Sequence, residues 1–552
     1  MTRSPLFSNL ARAMRIALYC DQQNISTHQG LEQLAALQSQ VARWRASRRE
    51  FLGLAAVSTF GVIAAGGLKR TDAAPKPGPD VKVGIVGAGL AGLACGYELK
   101  KNGISATLYD ANNRVGGRCF SLGGSFAGPV NFPGQVVERG GEFIDNLHKT
   151  MLGYAQQFGL ALEDVEKQPG EIFYYFDGQR YPESVVVDEY RNLVAAMQAD
   201  IRTLSGAPTA DTHTNADVLL DNTNLFEYLE RRGAGNVIKA AINTAYTAEY
   251  GLELQQQSCL NFLLFIHADK RSKFTPFGVF SDERYHIVDG NEQIIKGLSN
   301  QLQGQIQLGM KLTRVRKTSM GRIELAFQTG SKTISAEYDA VVLALPFTIL
   351  REVELDTSLE LPAWKRNAIN LLGYGTNAKM MVGFNSRPWA TLGSSGTSYS
   401  NLPNHQNTWE TNPTKAINGP NGRAVLTDYS SGNRGARLNP SRVQQEATSF
   451  LSDCDRVYPG AFAAAARDGN NFRAHLEHWP SNPLMKGSYT CYKPGQFTTI
   501  AGNEGKPIGN LHFAGEHANS FYEWQGFMEG AALSGIQAAN EILQDLKVGA
   551  LQ

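Results

Sequence analysis

Three glycines and one acidic residue have the types and the spacing of a site that binds a dinucleotide. Gly87, Gly89 and Gly92 form the pattern G-x-G-x-x-G, and Asp110 follows at the distance of an acid that accepts hydrogen bonds from ribose hydroxyls. The first glycine permits a tight turn and the second lets backbone amides approach a pyrophosphate. The third lets the following helix pack on the preceding strand. These residues leave open whether the dinucleotide is NAD or FAD.

The elements that must position these residues follow from the pattern of apolar side chains. The sequence predicts a buried strand over 81–86, a helix over 90–101 and a second strand over 105–109. The phosphates would then lie at the N-terminus of the helix, where free amides and the helix dipole favour negative charge. Further cofactor contacts are therefore expected at Leu90, Ala91 and Ala111.

The residues after Asp110 point to FAD. Segment 112–118, Asn-Asn-Arg-Val-Gly-Gly-Arg, resembles the flavin-containing amine oxidase family, whose members follow the ribose acid with an RxGGR segment. The resemblance implies that Gly116, Gly117 and Arg118 contact FAD. Most members have glutamate where this chain has Asp110, and we expect the shorter acid still to reach the ribose.

A second segment similar to the family lies near the C-terminus. Residues 511–543 resemble the motif FAGE followed by GYMEGAxxSGxxAA. The resemblance implies that Gly515 and Glu516 bind the ribityl or phosphate region of FAD. It also implies that a helix beginning near Gly526, Phe527 and Met528 faces the carbonyls of the flavin pyrimidine, because a helix N-terminus suits atoms of partial negative charge.

The loop Glu138–Phe143, ERGGEF, looks like the family's loop that passes close to the isoalloxazine ring. Adjacent glycines there allow a close approach of the backbone. The resemblance implies that Gly140, Gly141 and Glu142 contact FAD.

Other segments are similar to the family in the same order along the chain. Gly290-Asn291 is expected to open a helix, and residues 306–308 and 311–315 are expected to form a strand pair over the adenine. The resemblance implies that the backbone of Val315 holds the adenine ring. The apolar run 340–346, AVVLALP, predicts a strand buried on both faces of a parallel sheet.

Lys379 is the residue expected nearest the reacting part of the flavin. Residues 373–379 and the strand that follows resemble the family's segment that carries a lysine. The resemblance implies that Lys379 holds a water at flavin N5 and assists reoxidation of the flavin.

Aromatic residues are expected around the substrate. Trp479 and the segment Gly487-Ser488-Tyr489 are similar to the family's Trp and G-[S/G]-x-Y. The resemblance implies that Tyr489 and Phe527 flank the substrate amine. Covalent members have a cysteine at the position of Ser488, so FAD is expected to be bound non-covalently, with Cys491 as a bystander.

The predicted fold is α/β, with a discontinuous Rossmann-like FAD-binding domain and an inserted substrate-binding domain of mixed sheet and helices. Residues 151–280 are expected to be mostly helical, and residues 384–440, rich in Asn, Gly, Thr and Ser, are expected to form loops around a substrate channel. The expected parts are an export signal and linker at 1–80, FAD-binding segments at 81–150, 281–350 and 491–552, and substrate-domain segments at 151–280 and 351–490.

The resemblance implies oxidation of a primary or secondary amine to an imine, with hydride transfer to flavin N5 and reoxidation by O2 to H2O2. L-Amino acid oxidases commonly carry an arginine after the Gly-Gly loop to pair with the substrate carboxylate. Here Glu142-Phe143-Ile144 follows that loop, which favours an amine without a carboxylate. An L-amino acid oxidase stays the alternative, because the insertion could supply the carboxylate ligand.

Two other functions are alternatives to amine oxidation. A flavin desaturase or isomerase would not need Lys379 or the aromatic pair of Tyr489 and Phe527. A flavin-binding protein without oxidase turnover is the other alternative.

Composition excludes further classes. The 552 residues contain 52 Lys and Arg against 51 Asp and Glu, so the basic excess expected of a nucleic-acid binder is absent. The six cysteines show no CxxC or zinc-ligand spacing, so neither a metal site nor a disulfide framework is expected.

The N-terminal region resembles an export signal. Ser47–Leu52, SRREFL, precedes the uncharged run 53–68 and is similar to a twin-arginine signal, followed by a Pro/Gly-rich linker at 72–80. This implies the twin-arginine translocase as a transient partner and a periplasmic or secreted location. The C-terminal residues include no apolar tail, so no stable membrane anchor is expected, and a homo-oligomer is left open.

Overall fold

The computed structural model describes residues 16–17, 20, 23–31, 81–165, 169–267, 283–412, 422–518 and 524–549. The twin-arginine motif at 47–52 and the linker at 72–80 lie outside these described residues, so both stay predictions.

The described chain contains both strands and helices. The strands are β1 (Val83–Val86), β2 (Thr107–Tyr109), β3 (Ser121–Gly123), β4 (Val136–Glu138), β5 (Leu162–Asp164), β6 (Glu171–Phe176), β7 (Gln179–Tyr181), β8 (Tyr285–Ile287), β9 (Ile306–Gln307), β10 (Lys311–Lys317), β11 (Ile323–Thr329), β12 (Lys332–Tyr338), β13 (Ala340–Leu343), β14 (Glu354–Leu355), β15 (Ala378–Phe384), β16 (Ser394–Leu402), β17 (His405–Glu410), β18 (Ala424–Ser430), β19 (Arg467–Asp468), β20 (Asn471–Phe472), β21 (Ala474–His478) and β22 (Leu511–Phe513). The helices are α1 (Leu90–Lys101), α2 (Lys149–Gln157), α3 (Glu183–Ile201), α4 (Asn215–Asp221), α5 (Leu225–Arg231), α6 (Asn236–Tyr250), α7 (Leu260–His267), α8 (Glu292–Gln301), α9 (Phe347–Leu350), α10 (Ala363–Leu371), α11 (Pro388–Thr391), α12 (Gly432–Arg437), α13 (Val443–Val457), α14 (Ala461–Ala464) and α15 (Met528–Lys547).

The first sheet is parallel and has the order β22-β13-β1-β2-β9. All four residues of β1 and all four of β13 are buried, which explains why both segments read as unbroken apolar runs. The sheet draws its strands from segments far apart in the chain. The predicted α/β fold with a discontinuous Rossmann-like domain is therefore confirmed, as is the helix over 90–101.

A four-stranded sheet with the order β12-β11-β10-β14 corrects one prediction. Residues 306–308 and 311–315 were expected to form a strand pair. Instead β9 extends the parallel sheet beside β2, whereas β10 pairs with β11 and β14. A short connection between two apolar segments does not show whether they pair with each other or join different sheets.

A seven-stranded sheet with the order β21-β15-β18-β17-β16-β6-β7 corrects a second prediction. Residues 384–440 were expected to form loops, but they contain β16, β17 and β18. Residues 151–280 do contain helices α3 to α7, yet β6 and β7 from this stretch join the same sheet. Polar strand residues concealed these strands, because Ser, Thr and Asn face a buried hydrogen-bonded interior here instead of solvent.

Residues near the start of the chain pack against the body of the protein. Ile16, Ala17 and Cys20 are fully buried in the apolar cluster that includes α3. Thr27 is hydrogen-bonded to Asp188 and accepts a bond from Arg191. None of the helices in the described part of the chain has the length and apolar character needed to cross a bilayer.

Candidate cofactor-binding and active site

A cleft lies at the carboxyl ends of β1, β2 and β22 and encloses about 1180 Å³, part of it open to solvent. This is the edge of a parallel sheet where nucleotides bind. Most of the cofactor residues predicted from the sequence line it: Gly87, Gly89, Leu90, Ala91, Asp110, Ala111, Gly116, Gly117, Arg118, Gly515, Glu516, Phe527 and Met528.

The glycines of the first turn have separate structural reasons. Gly87 has φ of +102°, a conformation that side chains disfavour. A Cβ on Gly92 would lie 1.9 Å from the Gly87 carbonyl oxygen, so only glycine lets α1 pack this close to β1. A Cβ on Gly89 would meet nothing nearer than Gly117 Cα at 4.0 Å, because this position opens towards the cleft. This is the cradle that a pyrophosphate requires.

Two backbone amides hold the Asp110 carboxylate in place. Its Oδ2 accepts a 2.8 Å bond from the Ala88 amide, and its Oδ1 accepts a 2.8 Å bond from the Asn112 amide. Burial raises the pKa of Asp110, although these two amides oppose the shift. Each carboxylate oxygen still has a lone pair for a ribose hydroxyl.

Arg118 and Glu516 join the two segments that were predicted to bind FAD. Arg118 Nη1 donates to Glu516 Oε1 at 2.9 Å and to the Ser488 carbonyl at 2.5 Å. Glu516 Oε2 accepts from Thr490 Oγ1 at 3.0 Å and from the Gly526 amide at 3.1 Å. Burial alone would raise the pKa of Glu516, but the nearby Arg118 guanidinium and other positive charge hold it below its ordinary value.

The loop 138–142 lies beside the start of α15. A Cβ on Gly141 would come within 2.8 Å of Met528 Sδ, and one on Gly140 would collide with the Arg118 carbonyl oxygen. Trp479 donates from its indole nitrogen to the Arg139 carbonyl at 3.1 Å. Gly140 and Gly141 therefore allow the loop to lie against the cleft wall, and Trp479 supports it from behind.

Lys379 lies on β15 and reaches this loop. Its ammonium donates to the Glu138 carbonyl at 3.1 Å, to the Gly140 carbonyl at 2.8 Å and to Glu142 Oε2 at 2.6 Å. Both partners of the Lys379–Glu142 ion pair are almost fully buried, with side-chain exposures of 5% and 2%. The Glu142 side chain thus points to Lys379 and not into the cleft lining.

Two aromatic residues that the sequence did not single out belong to this cluster. Trp409 on β17 donates to Glu142 Oε1 at 2.9 Å, and its ring meets that of Tyr429 on β18 edge to face at 5.6 Å. Tyr429 OH donates to Tyr489 OH at 3.3 Å. Both residues lie in the segment expected to form loops. The signal that could have identified them is the mixture of Thr, Trp and Tyr in HQNTWE and AVLTDYS, which is typical of strands.

The contacts of Tyr489 and Phe527 account for only part of their predicted role beside the substrate. Tyr489 is buried against Gly526, and its hydroxyl donates to the Glu249 carbonyl. Phe527 lines the cleft, and its ring packs edge to face with His148 at 5.0 Å. Phe527 therefore lines the cleft, whereas Tyr489 lies beside Gly526 outside the lining. That the two rings flank a substrate stays a prediction.

The segment 487–492 folds back on residues 373–375. The Ser488 hydroxyl donates to Asn377 Oδ1, and the Gly375 amide donates to the Tyr489 carbonyl at 2.8 Å. Cys491 is a buried free thiol whose pKa burial raises, so it is poorly suited to act as a nucleophile. Tyr492, which had no assigned role, is hydrogen-bonded to Glu504, and Gln525 donates to its hydroxyl at 2.7 Å.

Some predicted residues lie outside the cleft lining. Val315 is buried in β10, and its carbonyl accepts from the Asp356 amide at 3.0 Å. Met310, Lys311 and Leu312 line the cleft in its place. Also outside the lining are Gly92, Gly140, Gly141, Glu142, Gly526, Lys379, Trp479 and Tyr489.

Comparison with known proteins agrees with this site. The chain matches the model of the family described as flavin containing amine oxidoreductase over residues 90–543. It is 24% identical to a putative L-amino-acid oxidase of Bacillus subtilis (strain 168), over 83% of this chain and 94% of that protein. It is 22% identical to an L-amino-acid oxidase of Bungarus fasciatus, over 92% of this chain and 94% of that protein.

A solved structure shares the fold. The structure of cyclohexylamine oxidase from Brevibacterium oxydans superposes with a TM-score of 0.69 at 20% identity, covering 85% of this chain and all of that one. The glycine cradle, the buried acid after β2 and the joined Arg118 and Glu516 fit the cofactor that the family carries. The chain therefore belongs to the flavin-containing amine oxidoreductase family and is an FAD-dependent oxidoreductase.

Proposed function

We propose that this protein is an amine oxidase for primary or secondary amines without a carboxylate group. The observation that carries the proposal is the buried Glu142 carboxylate directly after the Gly140-Gly141 loop. An arginine that would pair with a substrate carboxylate is absent from this position. A second negative charge next to Glu142 would be unfavourable, because the nearby Lys379 ammonium already pairs with Glu142.

The cofactor and the protein divide the work. Bound FAD supplies the two-electron chemistry, in which the amine is oxidised to an imine and O2 is reduced to H2O2, and water then converts the imine to a carbonyl product and ammonia or an amine. Gly87 and Gly89 would hold the diphosphate at the N-terminus of α1, and Asp110 would bind the ribose. Met528 would place the start of α15 against the flavin.

The aromatic cluster would orient the amine. Tyr489 and Tyr429 present hydrogen-bonded hydroxyls beside Trp409 and the Lys379–Glu142 ion pair. Aromatic faces attract an ammonium group and would exclude water from the reacting face. Lys379 contributes a fixed positive charge where negative charge develops as O2 is reduced.

An L-amino acid oxidase is the second candidate. Two of the relatives are named L-amino-acid oxidases, and they align over more than four-fifths of this chain. Their names support this activity without assigning a substrate here.

Peroxide release distinguishes the candidates. The purified holoenzyme would be assayed with aliphatic and aromatic monoamines, diamines, polyamines and a panel of L-amino acids. We expect peroxide with at least one carboxylate-free amine at a higher kcat/KM than with any L-amino acid. The reverse preference would establish the second candidate, and no peroxide from any substrate would refute both.

We also propose that the protein is exported through the twin-arginine pathway to the periplasm or beyond. The support is the SRREFL motif and the uncharged run that follows it. Replacing Arg48 and Arg49 together by lysine in the full chain should retain the protein in the cytoplasmic fraction. Unchanged export of that variant would contradict the proposal.

A further inference from the structure

The hydrogen-bonding capacity of Lys379 is fully used by this protein. An ammonium group has three donors, and each has an acceptor, namely the carbonyl oxygens of Glu138 and Gly140 and the carboxylate of Glu142. Two of these acceptors are neutral carbonyls, so Glu142 is the one that contributes a full negative charge. A buried ammonium without such a charge would cost several kcal/mol.

Glu142 is itself held from a second side. Its Oε1 accepts the 2.9 Å bond from the Trp409 indole, while its Oε2 accepts from Lys379. The carbonyl of Glu142 also accepts a 2.6 Å bond from Asn291. The carboxylate is therefore held between β17 and β15, and it cannot rotate without breaking one of these bonds.

This arrangement places the ammonium at the flavin end of the cleft. The loop that accepts from Lys379 lies against Met528, which lines the cleft at the start of α15. A change in the position of the ammonium would also move this loop, because Gly140 and Lys379 are joined by a 2.8 Å bond.

We propose that Glu142 is a positioning residue, whose carboxylate fixes the Lys379 ammonium and the loop 138–142 beside the flavin. The proposal rests on the proposed function in that it concerns the step in which O2 reoxidises the flavin. It also predicts properties of the protein that do not depend on any amine substrate.

A cycle of variants tests the proposal. Glu142→Gln, Lys379→Met and the double variant would be compared with Glu142→Asp, which keeps the charge. Glu410→Gln is the matched control, because Glu410 is also buried and also accepts from a tryptophan, Trp389, at 2.9 Å and from a cation, Arg387, at 2.7 Å. Glu410 and Trp409 are consecutive in a strand and so face opposite sides of the sheet.

The first measurement is reoxidation of the bound flavin by O2 after reduction with dithionite, which needs no amine. We expect Glu142→Gln and Lys379→Met each to slow it by about tenfold or more, as small misplacements in active sites do. The double variant should be no slower than the slower single variant, since both changes remove one interaction. Glu142→Asp should recover most of the rate, and Glu410→Gln should leave it unchanged.

The second measurement is the melting temperature of the same variants as holoenzymes. Each single variant should lose more stability than the double variant, because each single change leaves one buried charge without its partner. Reoxidation of Glu142→Gln at the parent rate, or multiplication of the two single effects, would overturn the proposal. Failure of every amine to give peroxide would refute only the proposed function, since neither measurement here uses an amine.

Discussion

His517 is a fully buried imidazole beside Glu516. Its ring packs on Phe347 at 4.3 Å and on Tyr374 at 6.5 Å. Among the described residues, neither of its ring nitrogens has a hydrogen-bond partner. Burial lowers the pKa of His517 to about 4, and the attraction of Glu516 only partly opposes this shift. The native protein therefore keeps this imidazole neutral at pH values where an exposed histidine is charged.

Because the pKa of His517 is lowered in the native protein, the free energy of unfolding depends on pH. Between pH 6.5 and 4 the unfolded chain binds a proton at His517 that the native protein does not bind, so stability falls as the pH falls through that range. The difference in unfolding free energy between His517→Phe and the parent should therefore change in favour of the variant by about 2 kcal/mol from pH 7.5 to pH 5, given a pKa shift of this size. Thermal melting of both proteins at the two pH values measures the difference.

Any constant cost of the larger ring cancels in that comparison. His213→Gln, at an exposed histidine, is the control and should show the same difference from the parent at both pH values. If the difference in stability between the parent and His517→Phe were the same at pH 7.5 and pH 5, His517 would not be the source of this pH dependence.

The serine at position 488 leads us to expect that FAD is bound non-covalently. A serine hydroxyl cannot form a thioether, and here it donates to Asn377. Cys491 is buried and lies outside the cleft lining. Precipitation of the holoenzyme with acid should leave all of the yellow flavin in the supernatant. Flavin that remains with the precipitated chain would contradict non-covalent binding.

At this scale the sequence predicted the residues whose role depends on local spacing. Gly87, Gly92 and Asp110 act within one turn and its two strands, so their pattern is sufficient. Trp409 and Tyr429 were missed, because their position beside Lys379 depends on the pairing of strands that the sequence did not reveal.

Helices α1 and α15 pack directly against each other beside the cleft. Gly535 on α15 lies directly on the backbone of α1, where a Cβ would come within 2.0 Å of the Ala91 carbonyl oxygen. Both helices begin at the cleft, with Leu90 at one N-terminus and Met528 at the other. The separation of the two helices therefore sets the distance between the two helix N-termini that are predicted to face the diphosphate and the flavin.

Gly535→Ala should push these helices apart. We expect a loss of about 1–3 kcal/mol, since overpacking of this kind exceeds the gain in helix propensity, together with weaker FAD binding. Gly153→Ala is the matched control on helix α2, where a Cβ meets nothing within 4 Å. That change should stabilise the protein by about 0.5–1 kcal/mol. Melting temperature and the FAD dissociation constant measure both effects, and a stabilised Gly535→Ala variant would contradict the packing argument.

Elements were predictable where their pattern has one interpretation. The apolar runs of β1 and β13 indicate buried parallel strands, and the helix between 90 and 101 has apolar residues and glycine at the required positions. The strands β16 to β18 were missed, because polar residues that suggest loops are here satisfied by partners across the sheet, as with the 2.6 Å bond between Ser398 and Thr408.

At the scale of the whole molecule, Glu516 joins the segment around Arg118, which is distant in sequence, to the C-terminal part of the chain. Its carboxylate binds Arg118, Thr490 and the Gly526 amide. The ion pair is buried, with exposures of 13% for Arg118 and 2% for Glu516. One carboxylate at the cleft thus links the parts of the discontinuous domain, and we expect FAD binding to be coupled to the stability of the chain.

Glu516→Gln tests this coupling. The change leaves Arg118 without its counter-charge in a buried site, and losing one partner of such a pair costs about 3–5 kcal/mol. We expect a lower denaturation midpoint of that size and a weaker affinity for FAD, measured through the fluorescence of released FAD. Glu230→Gln is the control, because Glu230 pairs with Lys239 at 2.8 Å on the surface, where such pairs contribute about 0–1 kcal/mol. If the two variants lost equal stability and both kept FAD, Glu516 would be an ordinary ion-pair partner. Closure of the domain would then depend on the pairing of β13 with β1 and β22 and on the packing of α15 against α1.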